Sequence, residues 1–594
     1  MTDAPTEREG EGAFSKLRRR KVVQWSFAYA AAAWTLLQVT EYLGETYAWP
    51  PAIRQIVTPA LALGSLLVLV LAWYHGDKGD QRVSRPELAI LAILTLAVGG
   101  ILWWYASRLD ERAWVVGAGV SETRHTVQAD AASIAVLPFV DMSPGKDQEY
   151  FADGIAEELL NLLAQIPQLR VISRSSAFSY KGKDVKLADV AYELNVAHIL
   201  EGSVRKAGNQ VRITTQLIDA RSDTHQWSQT YDRPLDNIFA VQDEIAAAVV
   251  AQLKLKLLGG VPKARAVNPR AYALYLQASQ LIYESTPKGY EQSIALYQQA
   301  IAIDANYAAA WIGLSEVYRQ QAGNGLRPID EAFRMAREAA NKALSIDPDF
   351  APAHVELGWI AMTYDGDLTA AAQHYEHALA LEPTNPDIVR NTACCLAAAL
   401  GRVDTAVAAG EYVAARDPLN PRGHVMLAND YVYAGRLDEA IASLRTALRL
   451  RPDYAGLQSG IGDALLLKGE PAAALAAIQK DPSEFWRRIG LPMAWHALGK
   501  QAESNAALAE LIQNNEKTAA YNIAYVLAFR GEADRAFEWL DKAVTYNDPG
   551  LIEIAVQPLF ANLHKDPRWG PFLHRIGKAP EQLAAIKFDF TVPK

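Results

Sequence analysis

Cysteine is almost missing from this 594-residue chain: Cys394 and Cys395 are its only thiols, and they are neighbours. Adjacent cysteines rarely pair without strain, so no disulfide framework staples the fold, and within the apolar run 393–400 the two read as small packing residues. An oxidising compartment permits disulfides without requiring them, so this scarcity leaves the compartment open. Basic excess is also absent. With 58 Lys and Arg against 67 Asp and Glu the formal charge is −9, which withholds the long-range attraction to phosphate that a generic nucleic-acid binder uses. The 37 Gly and 29 Pro are near ordinary usage and exclude a collagen-like or low-complexity chain, while 50% apolar residues exclude global disorder.

Catalytic signatures are missing as well. No phosphate-cradling glycine loop, dinucleotide turn, zincin helix or nucleophile elbow occurs. His374 and His377, with Glu376 between them, come nearest to a metal cluster, but no third ligand follows, so no metal and no cofactor is expected. Lys254, Lys256 and Lys263 read as a solvated linker surface.

What the chain does have is organisation. At roughly 100 to 200 residues per domain, its length predicts three or four folded units. The first hundred residues hold three apolar stretches, 22–43, 56–74 and 88–105, and the last two are free of charge and long enough to span a bilayer. Gln24, Gln38 and Glu41 make the first less secure, and it reads either as a span or as an interfacial helix. Lys16 to Lys21 ahead of it also resembles the basic region of a signal peptide. Basic residues in the tail 1–21 and in the connection 75–87 put both in the cytoplasm. Three spans then place the large C-terminal region in the periplasm, with Trp103, Trp104 and Trp114 in an interfacial belt; two spans would return it to the cytoplasm. The expectation is a multi-pass protein of a bacterial inner membrane.

A polar linker, 106–132, leads into a segment of short strands and helices. Ser133 to Phe139, Leu169 to Ser173, His198 to Arg205, Val211 to Asp219 and His225 to Tyr231 read as strands, and Tyr150 to Ile166, 186–195 and Ile238 to Leu257 as helices. This order predicts a mixed α/β domain over 133–258. The strings SIAVLPF at 133–139, YFADGIAEELL at 150–160, LRVISRSSAFSYKG at 169–182, ILEGSVRKAGNQVRITTQLIDA at 199–220 and FAVQDEIA at 239–246 carry a further message. Together they closely resemble the TolB-like amino-terminal domain of bacterial tetratricopeptide proteins. The resemblance implies a membrane-tethered sensing or scaffolding module, extracytoplasmic and without a defined reaction. Relatives of this kind can carry a cytoplasmic winged-helix or cyclase output domain, and the short tail before the first apolar stretch leaves no room for one. Gly202 and Gly208 suit a tight passage and a hairpin turn, Asp153 a helix start, and Trp227 the core. Arg174, Ser175 and Ser176, following a strand end near Tyr180, Lys181 and Lys183, read either as a loop that binds an anion or a partner's carboxylate through hydroxyl and backbone donors, or as loop capping and internal pairing.

From about 270 the sequence repeats itself. Prolines at Pro348, Pro383, Pro418, Pro452 and Pro482 are spaced 35, 35, 34 and 30 residues apart, a period near that of tetratricopeptide (TPR) helix pairs. In the window 421–454, Leu427, Ala428 and Tyr431 pack a first helix that Gly435 ends, and Ala440, Leu444 and Ala447 pack a second that Pro452 stops. About eight pairs are expected over 270–550, with 551–594 as a C-terminal cap. Such arrays wind into a superhelix whose concave groove holds extended or helical segments of other proteins. Tyr318, Arg390, Asn391, Asn429 and Tyr431 are the groove candidates.

The sequence thus predicts membrane helices, a TolB-like α/β domain and an all-α TPR solenoid, acting as a protein-interaction scaffold without catalysis. Its expected partners are protein or peptide segments and inner-membrane lipid, with no nucleic acid; a second copy of the chain stays open. The alternative is a receptor or regulatory subunit whose α/β domain senses a ligand and signals through the spans to a separate cytoplasmic output protein.

Overall fold

In the computed structural model, the described residues are Trp34, Thr35, Gln38, 130–220, 222, 224–255, 267–283 and 286–593. The chain divides into two compact units, Met1–His125 and Thr126–Lys594, and the second contains both the α/β domain and the helical array.

The transmembrane part of the expected fold class, and with it the multi-pass inner-membrane and periplasmic localisation, is corrected. Among the described residues no helix is long and apolar enough to cross a membrane. The longest, Ile329–Ile346, carries Asp330, Glu331, Arg334, Arg337, Glu338 and Lys342 in its 18 residues and buries one stripe of Ala and Phe instead. The stretches 22–43, 56–74 and 88–105 themselves lie outside the described residues, apart from Trp34, Thr35 and Gln38.

The α/β domain is built on a six-stranded sheet. Its strands are β1 (Ser133–Val136), β2 (Val140–Asp141), β3 (Arg170–Val171), β4 (His198–Ala207), β5 (Gln210–Asp219) and β6 (Thr224–Pro234), in the order β3-β1-β4-β5-β6 with β2 also on β4. β1 runs parallel to β3 and β4, whereas β4, β5 and β6 form an antiparallel meander turned at Gly208, whose φ of +60° suits glycine. The unbroken apolar run of β1 follows from burial on both faces. Ile134 and Val136 point to the helices Glu149–Ala164 and Ile238–Gln252, while Ala135 and Leu137 point to Leu187–Leu194 and the short helix Arg174–Phe178. Trp227 is half-buried against the first of these cores.

The array comprises eight helix pairs: 269–283 with 287–303, 308–323 with 329–346, 351–365 with 368–381, 386–399 with 403–416, 421–433 with 437–450, 457–467 with 471–478, 484–497 with 501–515, and 520–529 with 533–545. Two first helices each contain a π-helical turn, Ala361–Asp365 and Arg390–Cys394. The turns inside pairs four to eight are made by Gly401, Gly435, Gly469, Gly499 and Gly531, all at positive φ, where an L side chain would be strained. Asp347, Glu382, Asp417 and Arg451 end second helices, and the proline after each cannot continue them.

Helices approach closely through small residues, both between neighbouring pairs and within one. A Cβ on Gly313 of pair two would lie 2.2 Å from Tyr297 Cζ of pair one, and one on Gly358 would lie 2.3 Å from Tyr375 Cε1 of the same pair. After the last pair the chain packs Phe560 and Trp569 on the array's end, then returns to pairs three and four. There Phe588 is buried, Arg402 donates to the Ile586 and Phe588 carbonyls, and the Asp589 amide donates to Glu376 Oε1.

The Tyr375 contact yields a stability prediction. Gly358→Val forces overpacking against a fully buried ring and should destabilise the protein by about 1–3 kcal/mol in thermal or denaturant unfolding. Gly570→Ala meets nothing within 4 Å and should leave the midpoint essentially unchanged; equal effects would contradict the packing.

Candidate functional site

The concave face of the first four pairs encloses a chamber of about 1130 Å³, and the helix Glu149–Ala164 of the α/β domain closes it. Two separate contacts hold that helix in place. At the start of the array, Gly154 accepts Leu276 so closely that an added Cβ would stand 2.4 Å from its Cδ2, and Gln242 Nε2 donates to Tyr272 Oη at 2.9 Å.

The second contact lies at the end of pair four. Ser175 Oγ donates to the Asp417 carboxylate at 2.7 Å, Ser176 Oγ donates to it at 2.7 Å, and Asn420 Nδ2 adds a bond of 2.6 Å. The Leu419 amide donates to Ser176 Oγ at 2.8 Å, and the Ser173 amide to the Arg416 carbonyl at 2.9 Å. Asp417 is only 2% exposed. Arg170 reaches the Ala415 carbonyl at 3.0 Å, and Thr384 Oγ1 donates to the Ala164 carbonyl at 3.1 Å. The segment expected to be an anion-binding loop is the short helix Arg174–Phe178, and its serines hold a carboxylate of its own chain. Arg174 serves the same closure differently: its Nε pairs with Glu157 Oε2 at 2.7 Å, on the chamber-closing helix.

Inside the chamber charge is arranged in pairs around aromatic walls. Arg319 Nε meets Glu356 Oε2 at 3.2 Å and its NH2 lies 4.0 Å from Glu316, while the guanidinium sits 4.7 Å over the Trp359 ring. Burial pushes the Glu316 carboxyl up, against the pull of Arg319. Arg390 NH2 pairs with Asp387 at 2.6 Å, leaving its Nε without a hydrogen bond. Glu158 points in from the closing helix, and burial, reinforced by the neighbouring Glu157 charge, pushes its carboxyl up to about 7. Such an interior presents paired and unpaired charge to whatever enters it.

The five groove candidates separate. Arg390 and Asn391 line the chamber, both from the π-helical turn of pair four. Tyr318 and Tyr431 are buried, the first beneath Arg327 and the second against the preceding pair, donating to Glu411 at 2.9 Å beneath Arg436. Asn429 is exposed and outside the lining. His374 Nδ1 lies 3.2 Å from His354 Nδ1 and His377 Nε2 3.6 Å from Asp349, yet among the described residues no group of three or more ligands is placed to hold a metal ion. Cys394 is buried, and that burial pushes its thiol well up.

Glu157, Glu158, Tyr307, Glu316, Arg319, Glu356 and Trp359 escaped the sequence reading. The available signal was charge on first helices at positions where the repeat asks only for packing, together with two adjacent acids on the helix at 149–164.

Comparison with known proteins agrees with the repeats. The tetratricopeptide repeat family model matches residues 363–421 and 425–484, so the chain contains TPR pairs. A curated relative, "Putative adenylate cyclase 3" of Rhizobium meliloti (strain 1021), is 39% identical over 216 residues, which is 35% of this chain; the chain spans only 37% of that relative's length. Among solved structures, PilW, a widely conserved type IV pilus biogenesis factor, is 21% identical with a TM-score of 0.29, covering 44% of this chain and all of PilW. YrrB, a TPR protein with an unusual peptide-binding site, is 19% identical with a TM-score of 0.23, covering 36% of this chain and 95% of YrrB.

Two outcomes follow from the site. Asp417→Ala strands two serine hydroxyls and the Asn420 amide, and should lower stability by about 1–3 kcal/mol; a double-mutant cycle with Ser176→Ala should show coupling of about 0.5–3 kcal/mol, whereas additivity would deny the contact. Glu158 has a folded pKa above its unfolded one, so the folded state holds the extra proton and stability falls as pH rises from 4.5 to about 7. Glu158→Gln should flatten that part of the stability profile and leave the variant more stable than wild type at pH 8; an unchanged slope would contradict the placement.

Proposed function

We propose that the chain is a protein-interaction scaffold that holds a segment of another protein in the chamber between its TPR groove and its α/β domain. The observation that carries this reading is the lining itself: the inward faces of four consecutive first helices, the surface TPR arrays use for binding, converge on one enclosed space with Arg390 and Asn391. Residues 133–258 act as a TolB-like module that shapes and closes the groove, and the chain needs no catalysis of its own for this role.

The relative named a putative adenylate cyclase favours a second reading from another class. In that reading the chain, or the part of it shared with the relative, is a regulatory segment whose α/β domain senses a ligand and controls a separate output protein.

One experiment separates the two. A photo-crosslinking residue placed at Asn391 of the full chain should trap a discrete protein in producing cells, while the same residue at exposed Asn429 should not. Asn391→Trp, which fills the chamber, should remove the adduct formed from a second chamber position, Gln165, at unchanged thermal stability. Equal trapping from Asn429 would overturn the groove reading. An adduct that is a nucleotide cyclase or another signalling output protein would select the regulatory reading.

A further inference from the structure

The chamber is unevenly charged. Its lining carries eight carboxylates against three guanidinium groups. The inner acids are largely answered from within the chain: Glu157 by Arg174, Glu356 by Arg319 and Asp387 by Arg390. Glu158 is not. Its carboxylate makes no hydrogen bond or ion pair, although it lies in a space where a lone charge is costly.

A second, independent feature occupies the same corner. Tyr307 is only 7% exposed, lines the chamber, and its hydroxyl makes no hydrogen bond. Glu158, Tyr275 and Tyr307 all line the chamber, Glu158 and Tyr275 also share the small recess beside it, and the Tyr275 ring stands 5.1 Å from the Tyr307 ring. A buried phenol normally finds a partner. Here an unanswered carboxylate, an unanswered hydroxyl and two aromatic rings line one part of the wall. The rim adds Asp347, Asp349 and Glu382, so the approach is acidic too.

We propose that this corner is the seat of a lysine or arginine side chain belonging to the captured segment, so that the chamber selects basic peptides. An ammonium or guanidinium group satisfies every open valence at once: it pairs with Glu158, donates to the Tyr307 oxygen and lies against the aromatic rings. An acidic segment is rejected, because it would bring further negative charge into a space that already has an excess. This inference rests on the groove reading and specifies the chemistry of its occupant.

The test uses the full chain and labelled nonapeptides of one Gly/Ser framework carrying three lysines, three glutamines or three glutamates, with fluorescence anisotropy at physiological salt. The lysine peptide should bind at least about tenfold more tightly than the glutamine one, a difference of about 1.4 kcal/mol. Glu158→Gln should abolish that preference, and Glu158→Lys should turn it toward the glutamate peptide. Glu538→Gln, an exposed acid on a second helix, should leave it unchanged. Glu158→Gln costs no folding here, since it removes an unfavourable buried charge, and thermal unfolding checks this for each variant. A preference that survives both Glu158 variants, or falls equally with Glu538→Gln, overturns the proposal. Binding of neutral or acidic peptides that Asn391→Trp blocks would sink the cationic seat and keep the groove. No chamber-dependent binding of any peptide would remove both. Calorimetric binding of free spermidine that Glu158→Gln abolishes, with no peptide binding, would transfer the corner to a small polyamine and overturn the peptide form.

Discussion

The clasp on Asp417 is the contact on which the rest of the structure depends. A TPR array by itself is an open spiral; its concave face is exposed to whatever approaches. Here Asp417, at the end of the fourth pair, is gripped by two hydroxyls of the short helix Arg174–Phe178, more than two hundred residues earlier in the chain. A carboxylate can be taken to 2% exposure only if its lone pairs are met. Ser175, Ser176 and Asn420 meet them, and the price is that loop and helix end must arrive together. Once they do, the helix Glu149–Ala164 spans from pair one, where Leu276 fills the space above Gly154, to pair four. The groove becomes a chamber.

This closure changes what the inner residues can do. Arg319, set between Glu356 and Glu316 over Trp359, would be a solvated surface group on an open spiral, and its pairs would be worth little. Behind the α/β domain the same groups work in reduced contact with water, where an unanswered carboxylate such as Glu158 is raised toward neutrality. The two π-helical turns, at Ala361–Asp365 and Arg390–Cys394, fall on the first helices that form this wall, and the second presents Arg390 and Asn391.

How much of this the sequence displayed depends on how far apart the interacting residues are. The helix pairs were legible because their signals are local: a glycine at the turn, a proline past the helix end, small residues where helices touch. Five of the six strands of the α/β domain were legible for the same reason, since β1 is apolar from Ile134 to Val136 and β5 alternates after Gly208, whereas the two-residue β2 gave no such signal. The clasp was half legible. Arg174, Ser175 and Ser176 stood out as a donor loop, but Asp417 looked like one more helix terminator among Asp347, Glu382 and Arg451. Tyr318 and Tyr431 were misleading because repeat position alone does not say whether a ring faces the groove or the partner helix. Glu158 showed only as one of two adjacent acids and Tyr307 gave no signal, since each is ordinary until folding brings both to the chamber wall. The expectation of membrane helices came from apolar runs outside the described residues, and the described helices bury amphipathic stripes instead.

The central claim, that the α/β domain closes the array through this clasp, is tested most directly by residue-resolved amide hydrogen exchange on the native chain. Ser173 and Leu419 lie outside regular helix and strand, so an open array would leave their amides to exchange as free loops do. In the closed form the Ser173 amide donates to the Arg416 carbonyl at 2.9 Å and the Leu419 amide to Ser176 Oγ at 2.8 Å. Protection of both, comparable to that of amides within β4, is the predicted result. Exchange of both at the rate of unstructured loops, with β4 fully protected, would contradict the account.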